Sequence, residues 1–170
     1  MLKNILLVAT IILLTNITYS SADKSMKIGS KGSPNNIDRT IIVKMYDNYF
    51  DPDQIVFNNN ETIKFEVTNS GDFVHEFNIG NTMMHIEHQK DMEKMIENEI
   101  ILADSIDKVK MHNMAESDHS MGHSHSNSLL LEPGESGTLI WNFTNASNIE
   151  IACNVPGHYD VGMILNLELL

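Results

Sequence analysis

The segment CNVPGHYDVGM, residues 153–163, contains three side chains that bind soft metal ions. They are Cys153, His158 and Met163, and each lies five positions after the one before. Thiolate, imidazole and thioether groups together select copper over hard cations such as calcium or magnesium. A type 1 copper site needs one further imidazole beyond this set. The segment therefore predicts a copper site that is completed by a histidine from elsewhere in the chain.

His75, in the stretch FVHEFNI, is the candidate for the second imidazole. Of the eight histidines, only His75 and His158 lie outside a segment rich in methionine and histidine. An imidazole without a partner would be costly in so apolar a stretch. Each side chain also has a simpler explanation, because His75 could be a hydrogen-bonded core residue and Met163 and Cys153 ordinary core residues. The joint arrangement favours copper binding.

The amino terminus has the pattern of a secretory signal peptide, which we predict to span residues 1–22. Lys3 precedes an apolar run that ends at Leu14, and small residues up to Ala22 provide a cleavage site. The run is shorter than the about 20 residues of a membrane-spanning helix, so an uncleaved anchor is the less favoured alternative. We expect export to the periplasm, with no membrane span after cleavage. In that oxidising compartment an unpaired cysteine is an intermolecular bridge, a reactive thiol or a ligand.

The formal net charge of −12 argues against nucleic acid or anionic lipid as partners. Both need clustered Lys and Arg side chains. An acidic surface attracts cations or simply keeps the protein soluble. Copper ions and a periplasmic redox or copper-transfer protein are the partners that we expect.

Short stretches with alternating apolar residues predict half-buried strands separated by turn residues. We expect an all-β fold, an antiparallel sandwich or barrel, over residues 38–170. A flexible leader over residues 23–37 would precede it, and an insertion at about 82–128 would interrupt it. The predicted strands lie in 40–46, 62–68, 73–79, 138–143, 148–153 and 165–169.

The insertion begins with a predicted helix over residues 83–100 and continues as a polar tract over 110–128 that we expect to be mobile. Seven of the 11 methionines and six of the eight histidines lie between residues 83 and 125. The methionine stripe of the helix could pack as core, whereas methionine- and histidine-rich tracts commonly bind metals. The residues of a possible second copper region are Met84, His85, His88, Met92, Met95, Met111, His112, Met114, His119, Met121, His123 and His125.

From Arg39 to Leu170, apart from the insertion, the sequence resembles the cupredoxins, or small blue-copper proteins. The segment 153–163 looks like their C-terminal ligand loop, residues 48–71 look like their early strands, and FVHEF looks like the strand end with the first histidine. The stretches HEFNIG, HQKDMEKM and LLLEPGESG resemble periplasmic cupredoxins linked to copper tolerance. The resemblance implies a Greek-key β-sandwich with a type 1 copper that cycles between Cu(I) and Cu(II).

The same resemblance implies a role for each ligand of the set His75, Cys153, His158 and Met163. His158 would lie near the surface as the electron port, and Met163 would tune the reduction potential. One position departs from the commoner electron carriers, which often have Asn or Ser after the first histidine. Here Glu76 follows His75, and its carboxylate either alters the hydrogen bonds that orient the ligands or points to solvent.

The favoured function is copper tolerance by sequestration, by transfer to a partner, or by accepting electrons from Cu(I). The alternative is a small electron carrier between redox enzymes. An enzyme such as a nitrite reductase is not expected, because it needs further ligand sets with His-x-His pairs and the chain has one, at His123 and His125. Cuprous oxidase activity stays open, and a zinc protein using the histidine cluster is a further alternative.

Overall fold

A computed structural model describes residues 28–117 and 125–170. The predicted signal peptide lies outside the described residues, as do His119, Met121 and His123. Within the described ranges, no helix is long and apolar enough to cross a membrane. The elements are β1 (Ser30–Lys31), β2 (Arg39–Tyr46), β3 (Tyr49–Asp51), β4 (Gln54–Phe57), β5 (Thr62–Asn69), β6 (His75–Gly80), α1 (Thr82–Glu97), α2 (Lys108–Ser117), β7 (Ser128–Leu131), β8 (Ser136–Asn142), β9 (Glu150–Ala152) and β10 (Ile164–Leu169).

The strands form two five-stranded sheets, which confirms the predicted β-sandwich. One sheet has the order β1-β8-β5-β2-β3 and the other the order β4-β10-β9-β6-β7. The sheets are not purely antiparallel as expected, because β2 pairs in parallel with β5 and β4 in parallel with β10. In the first of these pairs Met45 lies opposite Asn69. The residues that follow β2 and β5 therefore emerge side by side at one end of the sheet.

Aromatic side chains from both sheets fill the centre of the sandwich. Phe65 of the first sheet lies with its ring centroid 5.2 Å from that of Phe77 in the second. Phe143 packs 4.6 Å from Phe57 and 6.3 Å from Phe65, again measured between centroids. Such pairs contribute roughly 0.5–1.5 kcal/mol each beyond the burial of their area. This packing fixes the positions of the two sheets and of the loops at their ends.

Helix α1 covers the second sheet at β6. The side chain of Asn81 caps the helix by accepting a hydrogen bond from the Met84 N–H at 3.0 Å. Every residue of β6 is buried, because α1 excludes solvent from that part of the strand. Met92 and Met95 of the helix are fully buried in the hydrophobic core.

Two predictions about irregular segments are wrong in part. The leader was expected to be flexible, yet Ser30–Lys31 pair with β8, and the Trp141 indole donates a 2.7 Å hydrogen bond to the Ile28 carbonyl. The polar tract was expected to be mobile, yet its first residues form α2. Asp107 begins this helix by accepting hydrogen bonds from the N–H groups of residues 109 and 110. Local capping therefore compensates for the low apolar content of the tract.

Candidate metal centre

The ligand loop, residues 153–163, joins two antiparallel strands. Ile164 of β10 lies opposite Ala152 of β9, so Met163 and Cys153 face each other at the end of the ladder. The Cys153 N–H donates to the Met163 carbonyl at 3.2 Å. The Met163 N–H in turn donates to the His158 carbonyl at 3.0 Å. The three predicted ligands of the loop are thus tied together through their backbones, with Cys153 and Met163 fully buried.

His75, at the start of β6, brings its imidazole to this loop from the neighbouring strand. Its Nδ1 atom lies 3.2 Å from Nδ1 of His158 and 3.8 Å from Sγ of Cys153. The His158 Nδ1 atom lies 3.3 Å from the same sulfur. Of the described residues, only these three form a group of His, Cys, Asp or Glu donors within 4.8 Å of one another. One thiol and two imidazoles thus converge on a single point.

Asp47 orients the His75 ring from the side opposite the sulfur. Its Oδ1 atom lies 3.1 Å from the His75 Nε2 atom. Since a carboxylate accepts hydrogen bonds, Nε2 carries the proton, and the lone pair of the neutral ring is on Nδ1. Metal-binding histidines almost always have such a partner on their other ring nitrogen. His75 is therefore fixed in the tautomer that a ligand requires.

The protonation states in this group suit a metal ion. Burial lowers the pKa of His75, although its hydrogen bond to Asp47 opposes the shift. Burial also lowers the pKa of His158, with a further contribution from the charge of His75. Both rings are thus neutral near pH 7, with lone pairs available. Burial raises the pKa of the Cys153 thiol to about 12, so a bound metal ion must displace its proton. The donor set fits a soft ion such as copper.

Glu76 lies within the protein and not at its surface, so the solvent-facing alternative for this residue is wrong. Its side chain is fully buried, and Oε1 lies 3.0 Å from the Nε2 atom of His88 in α1. Burial would lower the pKa of His88, but the hydrogen bond to Glu76 and the charges of Glu76 and Asp91 raise it above its usual value. The Glu76 N–H donates to Cys153 Sγ at 3.3 Å. The residue thus contacts the ligand set directly.

The residues of the possible second copper region lie in different environments. His85, Met92 and Met95 are fully buried. Met111 and Met114 are partly buried against the core, whereas His112 is exposed and lies 3.4 Å from Glu116. Met84, His88 and His125 line one cavity of about 240 Å³ together with Asn78, Glu87, Asp91 and Asn127.

A second cavity lies beside the half-buried His158. Its volume is about 470 Å³, and its walls come from the loop before β6, from α1 and from the segment after α1. Phe73, Ile96 and Leu102 remain 46%, 41% and 49% exposed there. The surface next to the predicted electron port is therefore largely apolar.

Sequence reasoning did not find Asp47 or the contact between Glu76 and His88. Asp47 is 28 positions from His75, and no local spacing connects them. The signal would have been the parallel register of β2 and β5, since it places the residue after β2 near the loop that leads into β6. The spacing of Met84, His88 and Met92 on one helix face was visible in the sequence, but it does not reveal which strand that face contacts.

Comparison with known proteins gives relatives over almost the whole chain. No protein-family model matches. The chain is 39% identical over 182 residues to the copper-resistant cuproprotein CopI of Pseudomonas aeruginosa, and the match covers 96% of each protein. It is 29% identical over 143 residues to the protein of the same name from Rubrivivax gelatinosus, covering 84% of this chain and 73% of that one.

Two solved structures share the fold. The reduced auracyanin of Roseiflexus castenholzii has a TM-score of 0.55 at 16% identity, and the match covers 79% of this chain and 98% of that one. An auracyanin B structure has a TM-score of 0.52 at 17% identity, with coverage of 84% and 96%. At such low identity these likenesses concern the fold, and they confirm the architecture expected from the sequence.

Proposed function

Because the chain belongs to the CopI family of copper-resistant cuproproteins, we propose that it binds copper at His75, Cys153, His158 and Met163. Its role is copper tolerance in the periplasm, by sequestering copper, transferring it to a partner or accepting electrons from Cu(I). The functional protein is then the chain that follows the signal peptide, a single domain predicted over residues 38–170 to which β1 also belongs, with the insertion at about 82–128. We propose a role in binding copper or accepting electrons and not in enzymatic turnover, with cuprous oxidase activity left open.

One observation carries this proposal, namely the convergence of two imidazole Nδ1 atoms on the Cys153 sulfur. Asp47 holds the proton of His75 on Nε2, so the Nδ1 lone pair of this ring faces His158 and Cys153. A soft cation between the three donor atoms would be bound by all of them at once. The Asp47 carboxylate supports the arrangement by holding the His75 ring in place.

Bound copper would supply a one-electron couple between Cu(I) and Cu(II). The chain's own residues hold the donors in a fixed arrangement. His75 is fixed by Asp47, and the backbones of Cys153 and Met163 are joined by the end of the β9–β10 ladder. Burial of Cys153 and Met163 excludes water from their sulfur atoms. Little movement of the protein is then needed when the charge of the site changes.

The test is a visible absorption spectrum of the purified chain before and after addition of Cu(II). We expect an intense charge-transfer band from the thiolate of Cys153, the only cysteine of the chain. The Cys153→Ser variant should lose this band even if it retains metal. The matched control is Ser70→Ala at an exposed position, which should keep it. A band of undiminished intensity in Cys153→Ser would refute the assignment.

Electron transfer to a protein partner is the second candidate, and the apolar cavity beside His158 favours it. An apolar surface next to the ligand would let a redox partner approach closely without desolvating charges. The test is the rate of electron exchange with a soluble redox protein. We expect Leu102→Glu, which places a charge in the cavity wall, to slow the exchange. The control is Val109→Glu at an exposed position on α2, which should leave the rate of electron exchange unchanged.

A second copper region is a further part of the proposal, now confined to Met84, His88 and His125 among the described residues. They share a cavity with two carboxylates, Glu87 and Asp91. Titration with Cu(I) should then exceed one equivalent, and the double change Met84→Leu, His125→Gln should remove the excess. Met83→Leu, at an exposed neighbouring position, is the control. One equivalent in all three proteins would exclude this region.

A further inference from the structure

His158 lacks the kind of direct partner that orients the other ligand histidine. The Asp47 carboxylate lies 3.1 Å from Nε2 of His75 and fixes that ring. His158 directs its Nδ1 atom towards His75 and the Cys153 sulfur. In the described part of the chain, no hydrogen-bond acceptor approaches its Nε2 atom, and the ring lines the apolar cavity. The position of this ring therefore depends on the backbone of the ligand loop.

The backbone around His158 forms a hydrogen-bonded turn between two glycines. The His158 N–H donates to the Val155 carbonyl at 3.0 Å, and the Gly162 N–H donates to the Tyr159 carbonyl at 2.9 Å. Gly157 and Gly162 have φ values of 88° and 90°. Glycine is the residue with the greatest backbone freedom. The orientation of the turn therefore depends on side-chain contacts with the rest of the protein.

Tyr159, the residue after His158, makes such a contact. Its hydroxyl donates a hydrogen bond of 2.7 Å to the Glu150 carboxylate. Glu150 belongs to β9 and lies between two strands, opposite Gly80 of β6 and Asn166 of β10. A hydrogen bond to a charged group is stronger than one between neutral groups. The tyrosine thus attaches the ligand loop to the interior strands of the second sheet.

The insertion contributes to the same attachment through the first turn of α1. The Thr82 hydroxyl also donates to Oε1 of Glu150, at 3.4 Å. The fully buried His85 ring has its centroid 5.7 Å from that of Tyr159, and the two planes differ by 31°. A Cβ atom at Gly80 would lie 2.9 Å from Nε2 of His85, so this ring packs directly against β6. Helix α1 therefore supports both the tyrosine ring and its hydrogen-bond acceptor.

Building on the proposed function, we propose that Tyr159 is a positioning residue for the ligand His158, with Glu150 and helix α1 as its anchor. With the phenol in place, the His158 ring is held beside the Cys153 sulfur before copper arrives. Without it, copper would have to order the turn on binding, and the entropy lost in that step would reduce the affinity. The insertion thereby acts on the metal centre without supplying a ligand to it.

Removal of the hydroxyl tests the anchor while the aromatic ring is kept. Tyr159→Phe should weaken copper binding about tenfold, the lower end of the effect of losing an outer partner of a metal ligand. Glu150→Ala removes the acceptor and should have a similar effect. Glu150→Gln keeps an oxygen that accepts from the phenol, so it should retain most of the affinity. The losses of Tyr159→Phe and Glu150→Ala should not add in the double variant, because both changes break the same hydrogen bond.

The experiment uses the full chain loaded with Cu(II). Competition with a chelator of known affinity measures binding, and the charge-transfer band reports the geometry of the ligands, which should change in Tyr159→Phe and Glu150→Ala. Tyr49→Phe, at a tyrosine that is 54% exposed, and Glu93→Ala, at an exposed position on α1, are the matched controls. Thermal unfolding of each metal-free variant distinguishes a loss of stability from a loss of ligand orientation.

Weaker binding with a changed band in Tyr159→Phe and Glu150→Ala, and recovery in Glu150→Gln, would support the proposal. Unchanged affinity, or losses that add in the double variant, would overturn it and leave the proposed function intact. Lower thermal stability with an unchanged band would also overturn it, since the hydrogen bond would then serve folding alone. If Glu150→Ala does not fold, the comparison of Tyr159→Phe with Glu150→Gln decides. Absence of the band in the wild-type chain would instead refute the copper site itself and this inference with it.

Discussion

The Nε2 atom of His75 lies 3.1 Å from Oδ1 of Asp47, a residue 28 positions earlier in the chain. The same oxygen accepts the backbone N–H groups of Asp72 at 2.8 Å and Phe73 at 3.3 Å. Burial would raise the pKa of Asp47, but these hydrogen bonds and the one to His75 lower it overall. One carboxylate thus holds both the ligand ring and the turn that leads to it.

Asp47→Ala should weaken copper binding about 10- to 100-fold, the usual effect of removing the partner of a ligating histidine. The His75 ring would lose the hydrogen bond that fixes its tautomer and orientation. Competition with a chelator of known affinity measures the change. Asp53→Ala removes an exposed carboxylate elsewhere and is the control. Equal affinity in both variants would show that Asp47 does not orient the ligand.

Gly71→Ala should have a similar effect for a steric reason. A Cβ atom at position 71 would lie 2.9 Å from His75 Nε2 and would also collide with Asp47 Oδ1. The side chain would therefore separate the carboxylate from the ring. The neighbouring exposed change Ser70→Ala should leave the chelator competition unchanged. Full affinity in Gly71→Ala would mean that the turn can move without disturbing the ligand.

The ligand loop could be predicted from the sequence because three donors occur within eleven residues, and the antiparallel pairing of β9 with β10 is local. His75 was accessible through the scarcity of histidines outside the insertion and through the resemblance of FVHEF to a cupredoxin strand end. Asp47 was not accessible, because its position depends on the parallel register of β2 and β5, which no turn between them specifies.

The insertion shows a second limit of sequence reasoning. A helix near residues 83–100 was expected and is present as α1, but periodicity does not say what a helix covers. Glu76 illustrates the consequence, since a carboxylate next to a strand end usually faces water. Here α1 covers it and supplies His88 as its partner. Helix α2 was missed because most of its residues are polar, although Met111 and Met114 pack against the core, and because its Asp107 cap is a single residue.

Stability of the metal-free protein should fall as the pH decreases below about 6.5. Burial lowers the pKa of His75, His85 and His158, so the unfolded chain binds more protons than the native one in this range. His88 acts in the opposite direction but in a different range, since its pKa is raised and its contribution is lost only as the pH rises from about 6.5 through the native value. Among these histidines, the slope below about pH 6.5 therefore comes from the three lowered pKa values and is positive.

His85→Gln isolates one contribution to this slope. It should reduce the dependence of unfolding free energy on pH by up to about 1.4 kcal/mol per pH unit. Urea unfolding at several pH values between 5 and 8 measures the slope, which is independent of any constant loss of stability. His112→Gln, at an exposed position on α2, is the control. An unchanged slope in His85→Gln would mean that this buried ring takes up a proton in the native state.

Met95 provides a test of whether the methionine stripe of α1 serves packing. Its side chain is fully buried in the core, so Met95→Ala should lower the free energy of unfolding by about 2–5 kcal/mol. Met95→Leu conserves volume and should cost less than about 1.5 kcal/mol. Met83→Ala, at a position that is 57% exposed, is the matched control and should stay within about 0.5 kcal/mol.

Copper binding separates the two possible roles of Met95. If the side chain only packs, Met95→Leu retains the Cu(I) stoichiometry of the wild-type chain, because leucine fills the same space without a thioether. A variant that lost one equivalent of Cu(I) while keeping its stability would instead assign Met95 to a metal site. The thioether would then have to reach a cation from within the core, where no water could complete its coordination. We therefore expect that Met95, which is fully buried, serves packing and that Met95→Leu keeps the Cu(I) stoichiometry.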